Sequence, residues 1–149
     1  MAGCIFIGYD RVKDVANRKG LTRRNMATLL GISDDEFVQR FSWENLYGEE
    51  AAPGLGAGED RRRAEALAVG SLRQHERAIF VGNDVAKAFG CDQRPRYEWA
   101  PLDSSSPLLV ASMRHTSQRN WTARTRWAQG RGPWVDESRE FMKELRQLC

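Results

Sequence analysis

Three short runs of apolar residues constrain the fold of this chain more than any other feature. The runs are Cys4–Ile7, Ala78–Val81 and Leu108–Ala111, and the first two end directly at a glycine. Unbroken apolar runs of this length are typical of strands that are buried on both faces. Because segments with helical patterns alternate with the runs, we predict an α/β fold with a short and mainly parallel central sheet.

The segments between these runs carry the signals of helices and loops. Ser33 followed by Glu36 forms a capping box, in which side chains satisfy backbone N–H groups at a helix start. Apolar spacing and flanking glycines indicate the other elements. We predict helical segments at Val12–Lys19, Thr22–Leu30, Asp60–Leu72, Val85–Phe89 (capped by Asn83 and Asp84) and Val135–Leu148, a strand within Phe41–Leu46, and an exposed loop over Gly48–Gly58.

The length and composition disfavour several classes of protein. A chain of 149 residues, 41% hydrophobic and 29% charged, is typical of one globular domain, which we predict to span residues 1–149. Cys4, Cys91 and Cys149 are few and far apart, which is typical of reduced thiols and excludes a four-cysteine metal site. No apolar run reaches the ~20 residues of a membrane span, and no signal peptide is recognisable. We therefore predict a cytoplasmic protein without a membrane segment or metal.

The segment between Asp103 and Asp136 contains no carboxylate. Its arginines and tryptophans are interleaved: Arg114, Arg119, Trp121, Arg124, Arg126, Trp127, Arg131 and Trp134. Arginines contact phosphates, and flat aromatic rings stack on bases. The segment therefore indicates contact with nucleic acid. The alternative interpretation is a solvated basic face whose tryptophans belong to the core.

Polar residues follow the predicted strands at the points where a ligand would be expected. They are Gly8–Asp10, Asn45, Gly82–Asp84 and Arg114–Ser117. In open α/β sheets, ligands bind outside the carboxyl ends of the strands. The sequence lacks the GxGxxG, GxxxxGK[ST] and GxSxG patterns, which disfavours dinucleotide-binding, P-loop and α/β-hydrolase functions.

Four segments resemble motifs of the uracil-DNA glycosylase superfamily, in the same order and with similar spacing. They are Met26–Ile32 (R-L-x-x-L-L-G-L), Phe41–Leu46 (F-x-x-x-N-L-L), Ala78–Gly90 (L-L-G-x-x-V-A-x-A-F-G) and Arg114–Trp121 (H-P-S-G-x-N-x-x-W). The resemblance extends from about Thr22 to the last residue. It implies a three-layer α/β/α domain that flips a base out of DNA and hydrolyses its N-glycosidic bond. We accordingly predict DNA as the partner, no cofactor, a monomer, and a location wherever the DNA is.

The resemblance also implies roles for individual residues. Asp10 occupies the position of the residue that stabilises the oxocarbenium-like sugar or orients water, and His115 matches the histidine that stabilises the leaving base. Asn45 matches the amide that reads the pyrimidine edge, beside Gly8 and Tyr9. The predicted DNA-binding residues are Arg114, Ser117, Gln118, Arg119, Arg124 and Arg126.

The chain departs from the superfamily pattern at three places. Thr116 replaces the proline of the H-P-S motif, Tyr47 replaces the second leucine after Asn45, and the segment from Asp10 to Thr22 is basic instead of proline-rich. Two alternatives stay open, the first because of these departures and the second because strand ends of α/β sheets also suit small ligands. One is a catalytically inactive DNA-binding or base-sensing module on the same fold, and the other is an enzyme that acts on free nucleosides or nucleotides.

Overall fold

A five-stranded sheet forms the centre of the computed structural model, which describes residues 2–9, 21–48, 57–115 and 133–149. The strands are β1 (Ala2–Gly8), β2 (Ser42–Asn45), β3 (His75–Val81), β4 (Ala100–Pro101) and β5 (Leu109–Met113). Their order is β2-β1-β3-β5-β4, and every pairing is parallel except that of β4 with β5. The predicted α/β fold with a mainly parallel sheet is confirmed.

Five α-helices and one 3-10 helix are present in the described part of the chain. They are α1 (Leu21–Leu30), α2 (Asp34–Arg40), α3 (Ala57–Val69), the 3-10 helix (Ser71–Gln74), α4 (Asn83–Ala88) and α5 (Pro133–Leu148). The predicted capping box starts α2, where the Ser33 hydroxyl oxygen accepts from the Glu36 N–H at 3.1 Å. None of the helices in the described part of the chain is both long enough and apolar enough to span a membrane.

Several element boundaries differ from the sequence prediction, among them the start of β3 at His75 and the end of β5 at Met113. The helix predicted to run to Leu72 ends at Val69, because Gly70 interrupts it and a 3-10 helix follows. Asn83 and Asp84 do not cap α4 but lie within it, and its N-cap is Gly82 without a side-chain hydrogen bond. Val12–Lys19 and most of the loop predicted over Gly48–Gly58 lie outside the described residues. The last two residues of that predicted loop, Ala57 and Gly58, are helical, because α3 begins at Ala57 and not at the predicted Asp60.

The two faces of the sheet are covered by different helices. Phe6 and Val81 point to one face and pack with residues of α1, α2 and α5. Ile7 and Phe80 point to the other, where α4 and the 3-10 helix supply Val85 and Leu72. Because alternate residues of each strand are buried on opposite faces, the strands require a helix layer on both sides. The described residues thus form the three layers that the resemblance implies.

The cysteines differ from the expectation of reduced thiols. Cys4 in β1 and Cys149 after α5 form a disulfide, with their Cα atoms 6.0 Å apart. Their sequence separation of 145 left no local signal of this proximity. Cys91 is a free, buried thiol whose pKa is raised by burial. The cytoplasmic location stays a prediction.

Candidate functional site

The first half of the candidate site lies where β1 and β2 end side by side. Gly8 pairs with Asn45 in the parallel ladder. Beyond the strands, the Leu46 N–H donates to the Gly8 carbonyl at 2.8 Å, and the Tyr47 N–H donates to the Tyr9 carbonyl at 3.1 Å. The ladder therefore continues past the strand ends and holds the predicted residues Gly8, Tyr9 and Asn45 together.

The Asn45 carboxamide packs directly against Gly8. A Cβ at Gly8 would collide with the Asn45 Oδ1 and would lie 3.2 Å from the Trp43 ring. The Trp43 Nε1–H donates to this Oδ1 at 3.0 Å, and Asn45 is only 9% exposed. Because the indole N–H is a donor only, it directs the amide oxygen towards itself and fixes the orientation of the carboxamide. Asn45 thus has a defined donor and acceptor end.

The second half of the site is His115, which lies over Gly82 after the end of β5. A Cβ at Gly82 would be 3.5 Å from the His115 Cβ and 3.6 Å from its Cδ2. Gly82 has a φ of +95°, and its N–H donates to the Met113 carbonyl at 2.8 Å. Glycine tolerates this backbone conformation, which brings the end of β3 directly under the imidazole.

The ends of β1 and β3 form the floor between these two halves. After β1, the chain forms β2 on one side of β1 and then β3 on the other side of β1. The order of the strands therefore reverses between β1 and β3. This is the place where open α/β sheets bind ligands. With strands about 4.8 Å apart, the ends of β2 and β5 are roughly 14 Å apart. Asn45 therefore lies on the β2 side of this floor, and His115 lies over Gly82 at its other side.

Tyr9 belongs to a cluster that the sequence did not indicate. Its hydroxyl donates to Asp60 of α3, 3.1 Å from Oδ1 and 3.2 Å from Oδ2. The Tyr47 hydroxyl donates to the same carboxylate, and the two rings are 5.4 Å apart. Burial and the bond to Asp60 raise the pKa of Tyr9 to about 12, and the same causes raise that of Tyr47. We call Tyr9, Tyr47 and Asp60 the tyrosine cluster.

Arg114 is the one predicted DNA-binding residue within the described chain. Its guanidinium pairs with the Glu137 carboxylate of α5 at 2.7 Å and is about 28% exposed. This ion pair compensates part of the positive charge that was predicted to contact phosphate. Asp10, Thr116, Ser117, Gln118, Arg119, Arg124 and Arg126 lie outside the described residues.

Two cavities lie at opposite edges of the sheet. We call the edge at which the parallel strands end the carboxyl edge, and the edge at which they begin the amino edge. A cavity of about 190 Å³ adjoins Gly82 at the carboxyl edge, and a cavity of about 790 Å³ opens at the amino edge beside Leu72, His75 and Leu108. The larger cavity contains none of the predicted site residues. Within the described ranges, no three His, Cys, Asp or Glu side chains are grouped so that they could hold a metal ion.

Comparison with known proteins adds no family to this geometry. No protein-family model matches the chain, and no curated protein matches it. What remains is the arrangement itself, with an oriented carboxamide and an imidazole on either side of the reversal point of the sheet. Such a site can hold a planar ligand that offers both donors and acceptors along one edge.

Proposed function

We propose that this protein is a DNA glycosylase-like enzyme that binds a flipped uracil or modified pyrimidine at the carboxyl edge. One observation carries the proposal: Gly8 with Tyr9, Asn45 and His115 come from three separate parts of the sequence, yet they lie along one edge of the sheet, at the ends of β1, β2 and β3. The proposal rests on this geometry together with the four resembling segments.

Asn45 suits the recognition of a pyrimidine edge. A carboxamide presents a donor and an acceptor side by side, as required by a base that offers a carbonyl oxygen next to an N–H. Its orientation is set by Trp43, and its low exposure limits competition from water. Gly8 supports the same role because a larger residue there would displace the carboxamide.

His115 and Asp10 divide the chemistry between them. In the hydrolysis, the bond between the base nitrogen and the sugar C1′ breaks, water supplies the hydroxyl to C1′, and the remaining proton goes to the base. An imidazole N–H from His115 stabilises the negative charge that develops on the leaving base. Asp10, which follows Tyr9 directly in the sequence, stabilises the cationic sugar or orients the water.

The activity is tested by incubating the protein with duplex and single-stranded oligonucleotides. They contain uracil, a thymine mismatch or hydroxymethyluracil, and abasic sites are revealed by alkaline cleavage. We expect abasic sites with at least one of these bases and a loss of activity in Asn45→Ala. If none forms while a known glycosylase works in parallel, the enzymatic proposal is wrong.

The hydrogen bond between Trp43 and Asn45 favours a second function, that of a catalytically inactive base-sensing module. The Asn45 amide oxygen already accepts from Trp43, and the residue is nearly buried. This module would bind uracil-containing DNA more tightly than normal DNA without forming abasic sites. The same oligonucleotides, used in a binding assay, distinguish the two functions.

A further inference from the structure

A groove between α1 and α5 lies away from the candidate base site. Its volume is about 260 Å³, and its lining includes Leu29, Leu30, Gly31, Met142, Lys143 and Arg146. None of the described residues proposed for base binding or catalysis lines it. We propose that this groove, which we call the helix groove, is a docking surface for an acidic segment of a partner protein. Such docking is independent of the proposed function.

The charge of the lining favours an acidic partner. Arg139, Lys143 and Arg146 recur at helical spacing, so they lie along one face of α5. Arg139 pairs with Asp136 at 2.9 Å, whereas Lys143 and Arg146 are exposed and form no ion pair with the described residues. Within the part of the chain that the structure describes, no carboxylate lines the groove. Two uncompensated cations therefore border it, and carboxylates of a partner would complement them.

Gly31 lets Arg146 lie across the end of the groove. Gly31 has a φ of +71°, and a Cβ there would come within 3.1 Å of the Arg146 Nη1. This Nη1 donates to the Leu30 carbonyl at 3.4 Å, and the Arg146 carbonyl accepts from the Arg40 guanidinium. The contacts hold Arg146 in place but use only one of the five N–H donors that a guanidinium has. A carboxylate in the groove would accept from the others, and little further ordering of the side chain is required.

The floor of the groove is apolar, which favours a peptide over a nucleic acid. Leu30 and Met142 are each 2% exposed, and Leu29 beside them is partly buried. A phosphodiester backbone has no aliphatic side chain to place on such a floor, whereas a peptide carries apolar and acidic side chains together. The volume of about 260 Å³ lies below the roughly 300–1,000 Å³ of pockets for drug-sized ligands. The groove therefore suits one or two apolar side chains flanked by carboxylates.

A labelled peptide tests the docking surface. The probe is a fluorescein-labelled synthetic peptide in which pairs of glutamates alternate with single leucines, and fluorescence anisotropy measures its binding. Physiological salt is used, so that attraction beyond the closest contacts is largely screened. We expect the double variant Lys143→Gln, Arg146→Gln to weaken binding about tenfold, because each exposed ion pair contributes a few-fold. A peptide with glutamines in place of the glutamates should not distinguish the wild type from this variant.

The matched control is the double variant Arg61→Gln, Arg73→Gln. It removes the same charge from two exposed arginines that also form no ion pair with the described residues but do not line the groove. We expect it to bind the peptide as the wild type does. An equal loss in the two double variants, both folded by circular dichroism, would mean that only the net charge matters and would overturn the proposal.

A single-stranded oligonucleotide of thymidines is the competing probe. If Lys143→Gln, Arg146→Gln weakens binding of this oligonucleotide but not of the peptide, the groove binds nucleic acid and the proposal is wrong. If the wild type binds the peptide through these two residues but forms no abasic sites, the docking surface is supported and the proposed enzyme activity fails. If it forms abasic sites but does not bind the peptide, the docking surface is wrong and the proposed activity stands.

Discussion

The two edges of the sheet differ in size and in chemistry. The amino edge has the larger cavity, about 790 Å³, with Leu72 and Leu108 among its lining, and the disulfide partner Cys4 pairs with Arg77 nearby. The carboxyl edge has the smaller cavity, about 190 Å³, but it gathers polar residues from the ends of several strands. Strand direction, more than cavity volume, therefore locates the candidate chemistry.

The physical reason is the parallel arrangement of the strands. Parallel strands send all of their carboxyl ends to one edge, so the residues that follow them become neighbours even when they are distant in sequence. The amino edge receives the segments that lead into the strands. We expect substitutions at the carboxyl edge to change activity and substitutions at the amino edge to change stability.

The two histidines of the chain test this difference most directly. His115 lies over Gly82 at the carboxyl edge, whereas the His75 Nδ1 lies 3.1 Å from the Ser71 carbonyl oxygen at the amino edge. We expect His115→Ala to lower the single-turnover rate of base excision about 1,000-fold, within the range of a removed acid–base or charge-stabilising group. His75→Ala should leave the rate unchanged. An equal loss in both variants, with both still folded by circular dichroism, would contradict the comparison.

Removal of the disulfide should have the next largest effect, and we expect that effect on the free energy of unfolding. The Cys4–Cys149 bond closes a loop across a sequence separation of 145 residues, and such a cross-link restricts the unfolded chain. We expect Cys149→Ser to lower the free energy of unfolding by about 3 kcal/mol. Urea denaturation of both proteins measures this, and wild type treated with a reductant is the control. The excision rate per folded molecule should not change; a matching loss of rate would link the amino edge to catalysis.

Much of the fold was predictable because its signals are local. The apolar runs at Cys4–Ile7 and Ala78–Val81 became β1 and β3, and the Ser33 capping box became the start of α2. The alternation of strands and helices was sufficient for the α/β assignment. The two-residue strand β4 went unrecognised because Ala100–Pro101 is too short to show a pattern.

The candidate site was predictable only in part, because side-chain partners are not local. The position of Asn45 at a strand end followed from the sequence, but its hydrogen bond to Trp43 did not. Asp60 gave no signal of its bond to Tyr9, since the sequence separation of the two residues is 51. An acidic residue in the first turn of a helix is common, and only the packing of α3 brings this one to the carboxyl edge.

Substitutions at two glycines also test the comparison between the two edges, and we expect smaller effects from them. Gly82 has a φ of +95°, which is unfavourable for a residue with a Cβ, whereas Gly3 in β1 has open space around its Cα. We expect Gly82→Ala to lower the free energy of unfolding by about 1–2 kcal/mol, because the backbone conformation is strained for alanine. The added Cβ would lie at ordinary van der Waals distance from His115, so excision should fall only as far as the backbone shifts. Gly3→Ala should leave activity unchanged and stability equal or slightly higher. Thermal unfolding and excision assays measure both, and a Gly82→Ala variant with normal stability would show that the backbone there is relaxed.

The smallest effect concerns the tyrosine cluster at alkaline pH. Tyr9 ionises near pH 10 when unfolded, but burial and Asp60 raise its pKa to about 12 in the folded protein. The folded state therefore holds this proton more tightly, so the associated stability is complete below pH 10 and is lost as the pH rises towards 12. We expect Tyr9→Phe to lower the free energy of unfolding by about 1 kcal/mol at pH 8, through the lost bonds to Asp60. That deficit should shrink between pH 10 and 12, because the variant lacks the group that titrates. Urea denaturation at pH 8, 10 and 11 measures the change, and a deficit that stays constant across this series would mean that Tyr9 ionises at its ordinary pKa.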